Sequence, residues 1–180
     1  MTIEAAKGSA VQQYFTMFSA YNAWANARVY AAAAELSDDE FGRDTGAFFK
    51  SMRGTLNHIL VADRIWMKRF TGEGDQPAAL DAILHQALPA LWLAREAEDR
   101  RIRDWVSGLD DAALSGRFTY MTVTDLRTVS QRLAPALAHF FNHQTHHRGQ
   151  AHTILSLLGK EPPMLDMIYF QRTEDGREFA

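Results

Sequence analysis

The 180-residue sequence is 47% hydrophobic and 23% charged, with a formal net charge of −3. This is the balance of an ordinary globular chain, long enough for one substantial core. The weak acidity counts against binding nucleic acid through its phosphates. The lack of cysteine removes disulfides, thiolate sites and a cysteine nucleophile, leaving histidine, carboxylate or water for any metal.

Taken in order, the chain predicts four long helices and one irregular insertion. The first helix spans about 9–36, with Tyr14, Phe18, Tyr21, Ala25 and Val29 recurring at steps of three and four. The second spans about 47–70 on a stripe of Phe48, Met52, Thr55, Ile59, Ala62, Trp66 and Phe70, and a Gly/Pro-containing stretch at 71–77 ends it. The third, about 79–106, is more polar; Pro89 marks either its true start or a kink. Helical periodicity is lost over 107–128, where 117–124 has the β-branched and aromatic character of a short strand or hairpin. The fourth helix spans about 133–158, with Pro135 in its first turn, Gly159 beyond its end, and an apolar tail that should fold back on the body.

No later run reaches the roughly 18 uninterrupted apolar residues of a membrane span, and the N-terminus lacks a secretory apolar stretch. The expectation is therefore a single all-α domain over 1–180: a cytoplasmic four-helix bundle with at least one long crossover, an insertion before the last helix, and no membrane partner.

The functional signal is histidine crowding. Five of the seven histidines fall between His139 and His152. On a helix, His147 lies about 40° from His143, and both share the apolar stripe of Ala136, Phe140, Ile154 and Leu158. His139 and His146 flank that stripe, and His152 should face solvent, as should His85. Buried imidazoles need partners. Either this pair bonds to carbonyls and carboxylates, or it offers two nitrogens to one metal ion. His58, mid-way along the second helix, is the candidate third ligand. Three imidazoles suit Zn, Ni or Fe and leave coordination positions open to water or substrate. Asn57, Asp63, Asn142 and Gln150 are the candidates to orient the rings. A zincin motif, a Glu-x-x-His pair, a phosphate loop and a Gly-x-Ser-x-Gly elbow are all absent.

Three segments resemble motifs of the DinB-like (DinB/YfiT) superfamily of bacterial four-helix bundles, named for damage-inducible members: Tyr21–Asn26, Gly54–Trp66 and Asn142–Gln150. The resemblance implies His58, His143 and His147 as metal ligands and a homodimer formed through helix faces. With the open coordination positions it points to a metal-dependent enzyme acting on small molecules, a transferase for low-molecular-weight thiols as the resemblance implies, or a hydrolase through metal-activated water. A non-catalytic, stress-related metal or small-ligand binder is the alternative. Trp24 and Trp66 read as core or site-wall aromatics, Gly149 as a point of close helix approach, and Arg148 as a salt-bridge partner of Asp63 or the C-terminal tail.

Overall fold

The computed structural model describes residues 8–122 and 126–180. Ser9 opens α1 (Ala10–Ala33) by accepting the Gln12 amide, one of the donors that a helix start leaves unpaired. A capping box between Ser37 and Glu40 starts the short α2 (Asp38–Gly42). Ser51 caps α3 (Met52–Thr71), which stops at Gly72 with φ 77°. α4 (Leu88–Ser107) carries Pro89 in its first turn, where a missing N–H costs nothing. Asp110 caps α5 (Asp111–Ser115).

Strands β1 (Arg117–Met121) and β2 (Thr128–Arg132) pair antiparallel, Arg117 opposite Arg132 and Met121 opposite Thr128. α6 (Leu133–Leu157) follows at once and closes at Gly159, φ 73°, with the Lys160 amide donating to the Leu155 carbonyl. The short α7 (Met167–Phe170) and a 3-10 turn (Arg177–Phe179) complete the tail.

The four long helices form a bundle. α1 packs against α4 and α6, and α3 packs against the same two. α1 and α3 are thus diagonal partners, as are α4 and α6, and segments 34–51 and 108–132 carry the chain across the bundle ends. One apolar cluster holds Val29, Leu56, Leu60, Leu91 and Ile154; a second holds Phe15, Met67, Ile102, Leu137 and Phe140. Each such side chain contributes about 1.5–3 kcal/mol when buried.

Between the clusters lies a buried polar layer contributed by all four helices. Arg95 donates to Asp63 at 2.5 Å and stands 3.0 Å from Asp99. Asn26 donates to Asp99 at 3.0 Å, while Arg148 donates to Asn22 and Asn26. Two guanidiniums and two carboxylates balance, which is the condition for burying them at all.

Several boundaries differ from the sequence reading. α4 begins at Leu88, so 79–87 is irregular and Pro89 is a start signal, not a kink. α3 begins at Met52 because 47–50 forms a tight turn with an Ala47–Lys50 bridge; Phe48, expected on the buried stripe, therefore precedes the helix and is 81% exposed. Tyr14 is likewise exposed. The tail does fold back: Phe170 is fully buried against Tyr21 and Trp24. The expected strand over 117–124 ends at Met121, and its last two residues, 123 and 124, lie outside the described residues. No described helix is long and apolar enough to cross a membrane.

Candidate metal centre

α3 and α6 lie side by side and bring His58, His143 and His147 together. The Nε2 atoms of His58 and His147 are 3.2 Å apart, and those of His147 and His143 are 3.0 Å apart. Nitrogens bound tetrahedrally to one zinc ion at about 2.0–2.1 Å lie about 3.3–3.4 Å from each other. These two spacings are within a few tenths of an ångström of the edges of such a polyhedron, and the ligand atoms of all three histidines lie within 4.8 Å of one another.

The outer nitrogens fix the ring states. His58 Nδ1 lies 2.7 Å from the Leu80 carbonyl, which can only accept, so Nδ1 carries the proton. His147 Nδ1 lies 2.8 Å from Gln150 Oε1 and donates in the same sense. In the neutral rings both Nε2 atoms are then lone pairs aimed at each other across 3.2 Å. Burial holds the rings neutral. It pushes His143 down to about 3, helped by His147 and His58, and His147 down to about 4 against the opposing Gln150 hydrogen bond. His58 is lowered by burial as well, in spite of its bond to Leu80.

The surrounding chain builds this arrangement from specific contacts. Asn57 exchanges two hydrogen bonds of 3.0 Å with the backbone of His85, pinning the segment that presents the Leu80 carbonyl. Phe49 stacks on the His58 ring at 3.8 Å between centroids and meets His147 edge-on. Two backbone features seat it. Lys50 takes a left-handed φ of 67° to close the 47–50 turn, and Gly54 leaves room for that turn, since a Cβ there would sit 2.1 Å from the Phe49 carbonyl oxygen. Beside His58 and His143 opens a cavity of about 230 Å³ walled by Trp66, Arg69, Tyr120 and His139.

Of the four residues expected to orient the rings, Gln150 contacts one directly and Asn57 acts through the 80–85 segment. Asp63 does neither; it is committed to Arg95 in the polar layer. Asn142 is exposed and faces a groove between α1, α6 and the tail, where His152 is also partly covered. Arg148 bonds to Asn22 and Asn26, not to Asp63 or the tail. Gly149 is exposed, and a Cβ added to it would meet nothing within 4 Å, so no described helix approaches it closely. Trp24 packs on the tail and Trp66 walls the cavity. Sequence reasoning misses Phe49, the Leu80 carbonyl and Arg69; they come from turns and from the hairpin contact, where helical periodicity carries no signal.

The DinB family model matches residues 11–178. The chain belongs to the DinB family. It is also similar to the protein named DinB of Bacillus subtilis (strain 168), 24% identical over 143 residues that take in 77% of this chain and 83% of that protein. In this DinB-family chain the motif residues divide by task. Asn22, Asn26, Asp63 and Arg148 knit the helices together, Gly54 and Asn57 seat the covering turn and loop, and the three histidines converge.

Proposed function

We propose that the chain is a metal-dependent enzyme acting on small molecules, with His58, His143 and His147 holding one Zn, Ni or Fe ion and a low-molecular-weight thiol as the nucleophile transferred to an electrophile. The supporting observation is the pair of lone pairs facing each other at 3.2 Å. Two neutral acceptors repel at that distance, and a shared cation converts the repulsion into attraction.

Such an ion, when bound, supplies Lewis acidity that favours the ionised form of a thiol or of water. The chain's own part is to hold the three nitrogens through Leu80 and Gln150 and to shield His58 with Phe49. None of the described residues walling the cavity is a carboxylate. A thiol, with a pKa of about 8.5, needs less help losing its proton than water does. That favours thiol transfer over hydrolysis.

The test is a screen of thiols against a general electrophile, 1-chloro-2,4-dinitrobenzene, and of hydrolysable esters, with metal-loaded protein. Turnover well above that of the free ion, lost in His147→Ala, supports the enzyme. Bound metal with no turnover on any pair returns the chain to a non-catalytic metal binder. Pairing of two copies is a separate proposal, supported by the groove of about 890 Å³ between α1, α6 and the tail and by exposed Tyr14 and Met164 at its rim. Light scattering on the purified chain decides it.

A further inference from the structure

Arg69, at the end of α3, has an environment that neither the metal centre nor the bundle explains. Its guanidinium carbon lies 4.6 Å from the centroid of Trp66 and 4.5 Å from that of Tyr120, so aromatic rings engage the guanidinium from the helix and from the hairpin. Its Nε is buried with no hydrogen-bond partner. No described carboxylate pairs with it, and the one charge-type influence on it is the Tyr120 hydroxyl. Arg95 and Arg148 also leave their Nε atoms unpaired, but each engages polar side chains, Arg95 two carboxylates and Arg148 two asparagines, whereas half-buried Arg69 has only rings against it.

The position of Arg69 matters as much as its lack of a partner. It walls the cavity that holds His58 and His143, and it also walls an outer groove of about 510 Å³ that shares Tyr120 and Thr122 with that cavity. The residues described around both spaces include Arg69 and Lys68 but no aspartate or glutamate, in a chain whose net charge is −3. A cation at a helix C-terminus complements the helix dipole, which accounts for Lys68 and Arg69 being basic. It does not account for the lack of an acid among the described lining residues, or for an arginine lying against two rings with no described anion beside it.

We propose that this passage admits a small acidic molecule and that Arg69 binds its carboxylate while the reacting end lies at the histidine centre. With both rings crowded to one side of it, their centroids 5.7 Å apart, the guanidinium has N–H groups left to offer on the other, and a planar carboxylate matches such an edge with two parallel hydrogen bonds. Arg69 is thus a specificity-determining residue: it selects substrates with an acid group, and neutral analogues of the same shape leave it unsatisfied. This substrate class rests on the metal-dependent reading above, but the anion site does not require the metal to be present.

The experiment uses the full chain loaded with Co²⁺, whose absorption reports thiol binding, titrated with 3-mercaptopropionate and with 3-mercaptopropan-1-ol. The acid should bind at least about tenfold more tightly, the effect of one charge-assisted pair. In Arg69→Met, which keeps an apolar stem against the rings, that ratio should collapse to near one while the alcohol binds as before. A ratio near one in the unaltered chain, or a ratio unchanged in Arg69→Met, overturns the proposal. If the chain takes up no Co²⁺, the histidine reading fails by itself, and calorimetric titration with succinate decides the anion site. Binding lost in Arg69→Met upholds it; no binding to the unaltered chain rejects it.

Discussion

Asn57 on α3 and His85 in the following loop exchange a donor and an acceptor at 3.0 Å each, so one buried side chain replaces a missing turn of backbone pairing. The loop so fixed places the Leu80 carbonyl 2.7 Å from His58 Nδ1. Asn57→Ala leaves two backbone groups unpaired and frees that carbonyl to move. It should cost about 1–3 kcal/mol of stability and weaken metal binding about tenfold, measured by urea unfolding and by competition with a chromophoric chelator. Unchanged metal affinity would separate the loop from the site.

Gly54 tests the cover over His58. A methyl group there collides with the Phe49 carbonyl, and because that obstacle is backbone, the 47–50 turn must shift. Gly54→Ala should lift Phe49 off the His58 ring even though alanine is the better helix former by about 1 kcal/mol. Isolated α3 would gain; the whole chain should lose stability, and the His58 ring resonances should move. A more stable variant with unperturbed resonances would show that the turn does not depend on this contact.

The polar layer tests the bundle apart from the site. Asp63 and Arg95 are each 1% exposed, so Asp63→Ala strands a buried guanidinium. The expected loss is about 3–5 kcal/mol, read by denaturant unfolding. Under conditions where the variant stays folded, its metal content should be unaltered, because Asp63 contacts none of the three histidines.

The pH dependence follows from the lowered histidines. In the unfolded chain they titrate near 6.5, whereas the folded chain holds His143 down to about 3 and His147 down to about 4. Between these values the unfolded state binds more protons, so stability rises with pH there. The metal-free protein should keep its full histidine contribution above about pH 6.5 and lose it progressively on acidification toward pH 4. Thermal melts across that range should show a decline that is shallower in His143→Ala. Equal slopes in the two proteins would contradict the buried, neutral cluster.

Much of this was legible in the sequence because helices repeat. The 3.6-residue period of Ala136, Phe140, Ile154 and Leu158 puts His143 and His147 on the inner face of α6, and His58 falls at a matching height on α3. Periodicity fails where the chain is not periodic. It runs α3 back through Phe48 and Phe49, missing that Lys50 reverses the chain and turns Phe49 onto His58. It does not say that Asp63 answers Arg95 while Gln150 answers His147, since both stand near the histidines in sequence and only tertiary packing chooses. Arg69 lies among ordinary helix-end charges until the hairpin brings Tyr120 over it.

The central claim is that three imidazoles share one ion, and metal content tests it most directly. The untagged chain, purified without chelator, is measured by elemental mass spectrometry beside His143→Ala, with circular dichroism to show that both are folded. About one Zn, Ni or Fe per chain, absent from the variant, is the predicted result. A folded chain that carries no metal and takes up none when it is supplied would contradict the account.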